Sequence, residues 1–419
     1  MIKEVSVPLL AMTKCLSDAM DLVSPVLTNH HIQVAYIAQE LAAELELPVE
    51  EQSQLIFAGL LHDSGALSLQ ERLNAVQFDL EGPSKHAELG FILFRDFEPL
   101  ARAAHLIRYH HLPWEEGQEM PDSVVPLGSH VLHLADRVAV LIDNRIGILS
   151  QATGIVERIN SNKGTMFVPE LVNAFKSLAK KEYFWLDTVS PSLWSLLSRR
   201  ASIVKTELHS KGLFQLAELF GRIIDFRSRF TAVHSSGVAA AAEALAGFFG
   251  FSENECQMMR IAGYLHDLGK LAIPDAILEK PGKLSSEEYY IIKAHTFHTF
   301  RILETISELE VINTWASYHH ERLDGKGYPF HHRAENLSMG SRIMAVADVF
   351  TAITEDRPYR KGMSRQEAFK VLCRMAQDSA LDKEVVATLQ DNFEIISSIR
   401  MAAQADAIKE YQTFIQAIR

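Results

Sequence analysis

Two short stretches carry the residues best suited to chemistry: Leu265-His266-Asp267-Leu268-Gly269-Lys270 and Tyr318-His319-His320-Glu321-Arg322-Leu323-Asp324-Gly325-Lys326-Gly327-Tyr328-Pro329. Adjacent His-Asp and His-His pairs make poor core residues, because burying polar side chains without partners costs several kcal/mol, whereas a divalent ion supplies such a partner. With the outlying His234, His295 and Asp348, the candidate metal ligands are His234, His266, Asp267, His295, His319, His320 and Asp348. Five imidazoles and two carboxylates suffice for two ions, with Asp267 placed to bridge them. Such a mixed set suits manganese, iron or zinc, with magnesium and nickel also admitted, better than calcium, which prefers all-oxygen shells.

Two ions about 3.5–4 Å apart lower the pKa of a water between them and stabilise both oxygens of an in-line phosphoryl displacement. Phosphodiester hydrolysis is therefore the leading chemistry, with Asp267 and Lys270 as its catalytic residues. Read as lying one helical turn past the His-Asp pair, Lys270 reaches a non-bridging phosphate oxygen and offsets charge developing there. Arg342, six residues before Asp348, is a candidate clamp for a second phosphate. Asp324, Gly325 and Tyr328 complete the substrate-binding candidates, on a loop where Gly325 and Gly327 permit backbone conformations other residues resist. Tyr328 either stacks on a base or pins this loop. The run Lys280-Pro281-Gly282-Lys283 is most simply a solvated turn.

These residues need a scaffold, and the spacing of apolar positions predicts helices. Val34, Ile37, Ala38 and Leu41 recur at helical period, as do Val238, Ala242, Leu245 and Phe249, while alternating strand patterns are nearly absent. Breakers fall at Leu47-Pro48, Glu81-Gly82-Pro83, Pro281-Gly282 and Gly325 to Pro329. The expected fold class is all-α. At 419 residues with 47% hydrophobic content, the chain exceeds one ordinary core and predicts two domains. A net charge of −12 argues against a nucleic-acid polymer as partner. Cys15, Cys256 and Cys373 have no paired spacing, so neither a disulfide framework nor a zinc ribbon is expected and a reducing cytoplasm fits. Neither a signal peptide nor an apolar run of the ~18 residues needed to span a membrane is evident.

The chain also repeats itself. Gly128 to Asp136 matches Gly340 to Asp348 in polarity, and His30, His62-Asp63, His86 and Tyr109-His110-His111 align in order with His234, His266-Asp267, His295 and Tyr318-His319-His320. The step from first histidine to His-Asp pair is 32 residues in both copies, and His86 to His110 equals His295 to His319. We therefore expect domains at 1–195 and 196–419, with Ser190-Pro191-Ser192 the break and Leu193 to Leu219 a connecting, mainly helical segment. A second metal site is open to the first copy on His30, His62, Asp63, His86, His110, His111 and Asp136. That copy carries Ala66 in place of the lysine. Leu112-Pro113-Trp114-Glu115-Glu116-Gly117 follows its His-His pair, with Glu119-Met120 where Tyr-Pro would fall, and such acidic residues repel phosphate. A supporting or regulatory role is expected for it.

The second copy resembles the HD-GYP family of HD-type metal-dependent phosphohydrolases: His266 to Lys270, His319 to Pro329, and Val346 to Arg360 are similar to its signatures, over roughly Phe226 to Phe393. The resemblance implies a helical bundle with a binuclear metal centre that opens cyclic dinucleotides, chiefly cyclic di-GMP. It also implies contacts of the Gly327-Tyr328-Pro329 loop with diguanylate cyclase (GGDEF) domains. Some members carry a glutamate for a third metal where this chain has Phe230, so two metals are expected. His298-Thr299 replaces a small residue and glycine, a change that would reshape the base pocket. The tandem of a degenerate HD domain and an HD-GYP domain is similar to bacterial phosphodiesterases acting on 3',3'-cyclic GMP-AMP (3',3'-cGAMP), which is slightly favoured over cyclic di-GMP. A homodimer is compatible with the sequence. Two rivals stay open: another HD-type nucleotide phosphohydrolase, and a non-catalytic nucleotide-binding signalling scaffold.

Overall fold

The apolar spacing becomes helix. Val34, Ile37, Ala38 and Leu41 are fully buried along helix His30–Glu44, as are Val238, Ala242 and Leu245 along helix His234–Phe248. Phe249 is the residue that closes the latter helix and is half-buried. This computed structural model describes residues 5–24, 27–78, 84–118, 125–201, 206–227, 233–280, 282–356 and 361–416. Phe230, Glu119-Met120, Glu81-Gly82-Pro83, Pro281 and Arg357 to Arg360 lie outside them. The only strands among the described residues are the two-residue Val7–Pro8 and Glu207–Leu208. None of the helices there is long and apolar enough to cross a membrane. The fold is all-α.

The chain divides into two compact units, one formed by Pro8–Glu207 and one formed by the chain from Leu208 onward together with the residues up to Val7. The division comes later than residue 195 because the helix Leu193–Ala201 packs on helix His30–Glu44, burying Leu193 and Leu197 in the first unit. Arg200 secures it by donating to Gln39 Oε1 at 2.8 Å and pairing with Glu40.

Each unit is built on the same helix pair. His30–Glu44 lies against Val49–Leu61 and Leu127–Val140 in the first unit, and His234–Phe248 against Glu253–Leu265 and Met339–Thr354 in the second. The close approach depends on matched glycines. A Cβ on Gly59 would stand 2.5 Å from Ala35 Cα, and one on Gly263 2.4 Å from Ala239 Cα.

Three helices of the second unit that carry or lead into candidate ligands begin at serine caps readable in the sequence. Ser252 and Ser285 form capping boxes with Glu255 and Glu288, starting helices Glu253–Leu265 and Ser286–Leu303, and Ser338 caps Met339–Thr354. Each such cap contributes about 1 kcal/mol and fixes where its helix starts. His266, His295 and Asp348 are thereby placed at set distances from defined starting points.

Candidate metal centre

Helix Glu253–Leu265 ends at His266, which puts the His266-Asp267 pair at a turn facing His295 on the neighbouring helix. Gly269 makes that approach feasible, since a Cβ there would fall 2.0 Å from the His295 carbonyl oxygen. Thr299 clasps the turn from the same helix: its hydroxyl accepts from Gly269 N–H at 2.9 Å and donates to the His266 carbonyl at 3.1 Å. Thr299 is thus spent inside the fold rather than on a base pocket, because both its partners belong to the His-Asp turn.

Three imidazoles are oriented by their own helices. Nδ1 of His266, His295 and His319 lies 2.7, 2.6 and 2.6 Å from the carbonyls of Gly263, Ile292 and Ala316. Donation to those carbonyls fixes the tautomer and leaves each Nε2 as a lone-pair donor toward the cluster. Asp267 offers one oxygen to each side: Oδ2 is 3.2 Å from His266 Nε2, and Oδ1 3.4 Å from His295 Nε2. Asp348 does likewise, with Oδ1 3.2 Å from His234 Nε2 and Oδ2 3.9 Å from His320 Nδ1. Donor atoms within 4.8 Å of one another group as His234, His266 and Asp348, as His266, Asp267 and His319, and as His295, His319 and His320. All seven expected ligands are brought together.

The charge states suit metal ligation. Burial pushes His295 down to about 3; burial also holds His319 well below its ordinary value and lowers His320, so these imidazoles are neutral. Burial opposes ionisation of Asp267, yet His266 and Lys270 beside it hold the carboxyl well below the usual range. His234 is the exception: burial disfavours its charge, but Glu355 and Asp348 outweigh that and raise it to about 10. His266 Nε2 and Asp267 Oδ1 are buried without a hydrogen-bond partner, an arrangement that costs about 1–3 kcal/mol per atom unless something else satisfies them. Imidazole nitrogens and carboxylate oxygens in this number fit divalent transition ions.

Lys270 sits on a 3-10 turn, Leu268–Ala272, which places it over the residue three before it, and its Nζ is 2.5 Å from Asp267 Oδ2. Burial works against the ammonium, but Asp267 more than compensates and its pKa is raised. Tyr328 is half-buried with its ring 4.9 Å from that of His320, and Lys293 Nζ lies 4.8 Å over it.

Other expected substrate residues do not join the cluster. Arg342 donates to the carbonyls of Leu337 and Ala334 at 3.0 and 2.7 Å and to Asp382 Oδ2 at 3.0 Å, so it ties the start of helix Met339–Thr354 to its surroundings instead of clamping a phosphate. Asp324 is engaged by Arg322 at 3.0 and 2.8 Å, and its neighbour Gly325 adopts φ +75°, so both shape the loop rather than face the cluster.

Sequence reasoning missed several residues. Glu355, buried, lies 3.2 Å from His234 Nδ1 through Oε2 and orients that ring. Asp225, buried, accepts from Ser235 N and Oγ, both at 2.9 Å, and burial raises it to about 7. Glu321 accepts from the N–H groups of Phe330 and His332 at 2.6 and 3.0 Å and closes the glycine-rich loop.

The first unit repeats the arrangement. Asp63 Oδ2 is 3.4 Å from His62 Nε2 and Oδ1 is 3.3 Å from His86 Nε2, while Asp136 Oδ1 is 3.3 Å from His30 Nε2. His111 Nδ1 lies 3.8 Å from Asp136 Oδ2. A Cβ on Gly65 would meet the His86 carbonyl oxygen at 2.1 Å, as Gly269 does with His295. Ala66 is buried where the second unit has its lysine.

A helical unit that gathers a His-Asp turn, further histidines and a distant aspartate around one cluster defines an HD-type metal-binding domain, and it occurs here twice. Family models described as HD domain match residues 27–141 and 218–385. The chain is 31% identical over 389 residues to the 3'3'-cGAMP-specific phosphodiesterase 1 of Vibrio cholerae, covering 90% of each chain. It is 25% identical to phosphodiesterase 3 of the same name and organism, over 93% of this chain and 95% of that one. A cyclic di-GMP phosphodiesterase of Pseudomonas aeruginosa is 40% identical over 149 residues, 35% of each chain. A solved cyclic GMP-AMP specific phosphodiesterase of V. cholerae has the same fold, with TM-score 0.63 at 24% identity over 93% of this chain and 98% of that one. The chain belongs to the HD-domain family, with two such domains in tandem.

Proposed function

We propose that the second unit hydrolyses a phosphodiester bond of a cyclic dinucleotide, with 3',3'-cGAMP ahead of cyclic di-GMP. The observation that carries this reading is the placement of Asp267, one oxygen toward each half of the histidine set, with the Lys270 ammonium on the same carboxylate. Bound divalent ions would supply Lewis acidity and activation of water at that position. The ligands would be His234, His266, Asp267, His295, His319, His320 and Asp348.

Lys270 retains partial exposure, so its Nζ can exchange Asp267 for an incoming phosphate oxygen without leaving the site. Lys293 adds a second cation beside Tyr328 and His320, and Tyr328 offers a ring face to a base. In a chain of net charge −12, such local cations are what draws a dianionic substrate. The preference for 3',3'-cGAMP rests on tandem organisation: two relatives specific for it match 90% and 93% of this chain, a third such relative 42%, and the P. aeruginosa cyclic di-GMP enzyme 35%. The first unit, with Ala66 for lysine, has a supporting role in this reading.

The test is chromatographic product analysis of manganese-loaded full-length protein with 3',3'-cGAMP, cyclic di-GMP, cyclic di-AMP and a mononucleotide, GMP, in separate reactions. Turnover is expected to fall about 10²-fold or more in Lys270→Met and to vanish in Asp267→Ala. Full metal occupancy without any product would establish a binding scaffold, and preferential hydrolysis of mononucleotides would establish a nucleotidase.

A further inference from the structure

Besides Ala66 for Lys270, the two clusters differ at a buried residue next to the distant aspartate. In the second unit Asp348 is followed by Val349; in the first, Asp136 is followed by Arg137. The Arg137 side chain is almost fully buried beside an equally buried Asp136, and the two are joined through Oδ2 at 2.5 Å from Nη2 and 3.2 Å from Nε. Its remaining N–H groups go to backbone carbonyls: Nη2 to Ala75 at 2.7 Å, and Nη1 to Phe78 at 3.2 Å and to Gln77. All five guanidinium donors are therefore engaged, so the group cannot swing aside.

Opposite this fixed charge stands a second group of donors. Asp63, His86, His110 and His111 offer ligand atoms within 4.8 Å of one another. His110 Nδ1 lies 2.6 Å from the Ile107 carbonyl, leaving Nε2 buried without a hydrogen-bond partner. His86 and His111 face each other through Nε2 at 2.9 Å, and Asp63 Oδ1 is likewise buried without a partner. Three imidazoles and one carboxylate make a complete four-donor set for a transition ion. On the other side Asp136 Oδ1 lies 3.3 and 3.8 Å from His30 Nε2 and His62 Nε2, as Asp348 Oδ1 lies beside His234, but the second oxygen of Asp136 is held by Arg137, where that of Asp348 stands 3.9 Å from His320 Nδ1.

We propose that the first unit holds a single divalent ion on Asp63, His86, His110 and His111, and that the fixed Arg137 charge, neutralising Asp136 through Oδ2 while Oδ1 faces His30 and His62, prevents the binuclear pair from forming there. A second cation beside His30 and His62 would be set against a buried guanidinium with no freedom to move. Loss of the second ion and of the lysine at position 66 together leave a closed, structural site in place of a hydrolytic one. Arg137 acts here as a positioning residue, through Asp136.

The experiment uses the full-length chain with the second cluster disabled by Asp267→Ala and His319→Ala, loaded with manganese and desalted. Metal is counted by elemental analysis, and electron paramagnetic resonance distinguishes an isolated ion from a coupled pair. One ion per chain with the spectrum of an isolated ion is expected. It should be lost in His110→Ala and His111→Ala and kept in His30→Ala. Arg137→Val should raise the count to two and produce a coupled spectrum. Two ions with Arg137 in place, no ion, or loss in His30→Ala with retention in His111→Ala would overturn the proposal. Should circular dichroism show Arg137→Val to be misfolded, the three histidine variants decide the matter alone.

Discussion

Gly269→Ala is the sharpest test of how the second cluster is held. The added Cβ would stand 2.0 Å from the His295 carbonyl oxygen and 2.8 Å from both the His295 carbonyl carbon and Thr299 N, where real Cβ contacts essentially never fall below 3.0 Å. The His-Asp turn and helix Ser286–Leu303 must therefore part by about 1 Å. The obstructing atoms are backbone, so no side chain can rotate away. Overpacking of this kind costs about 1–3 kcal/mol, and the same shift widens the 3.4 Å gap between His295 Nε2 and Asp267 Oδ1. Misplacement by about 1 Å in a catalytic constellation can cost roughly 10²-fold in rate. We expect Gly269→Ala to bind less metal in the second unit and to turn over cyclic dinucleotide about 10²-fold more slowly, measured by elemental analysis and product chromatography. Gly247→Ala is the control, since a Cβ there meets nothing within 4 Å. Gly65→Ala, with its 2.1 Å clash on His86, should disturb the first cluster while leaving metal in the second. Full metal and full turnover in Gly269→Ala would refute the claim that this close approach positions the site.

Arg342→Ala should lower stability by about 1–3 kcal/mol through loss of its bonds to Leu337, Ala334 and Asp382, read as a lower thermal midpoint, with turnover within a few-fold of the parent; a 10²-fold loss of turnover at unchanged stability would restore it as a phosphate ligand. Asp225 gives a pH signature in metal-free protein. Its folded-state pKa of about 7 lies above the ~3.9 of an unfolded chain, so its contribution is fully present below about pH 4 and is lost as pH rises toward 7. That loss is on the order of 4 kcal/mol. Asp225→Asn should flatten the corresponding slope in urea denaturation followed between pH 4.5 and 7.5, and an unchanged slope would sink the assignment.

That these histidines and aspartates gather was legible because duplication wrote it twice: matched spacings in two copies separate the clustered residues from incidental histidines without any structure. Glu355 was within reach of the same reasoning. Seven residues after Asp348, at 100° per residue, it returns almost to the same helix face. Arg342 failed that rule, since six residues turn the chain by 600° and leave it well off the Asp348 face. Lys270 was read on an α-helical turn, but a 3-10 turn stacks it over Asp267. Asp225 carries no spacing signal, since its partner Ser235 and the two following helices that bury it bear no motif tied to it. The Pro191 break looked like a domain boundary because composition records where a helix stops and not what the next one packs against.

His62 and His266 end their helices with Nδ1 on the carbonyl two residues inside the last helical residue, and His110 and His319 do so one residue later. The carbonyls of Gly59, Gly263 and Ala316 are among the groups at a helix end that lack a full set of intrahelical partners, and that of Ile107 also takes His110 N–H at 3.3 Å, so each ring secures a helix end as well as donating. The rings are consequently immobilised during folding, before any ion arrives, and metal uptake need not order them. Apo and loaded protein should then share nearly the same helical content, unlike zinc fingers, which fold only around their ion. In the reading proposed above, the same double duty lets the first copy, with Ala66 for lysine, do without phosphate chemistry while its histidines stay tied to the helices they close.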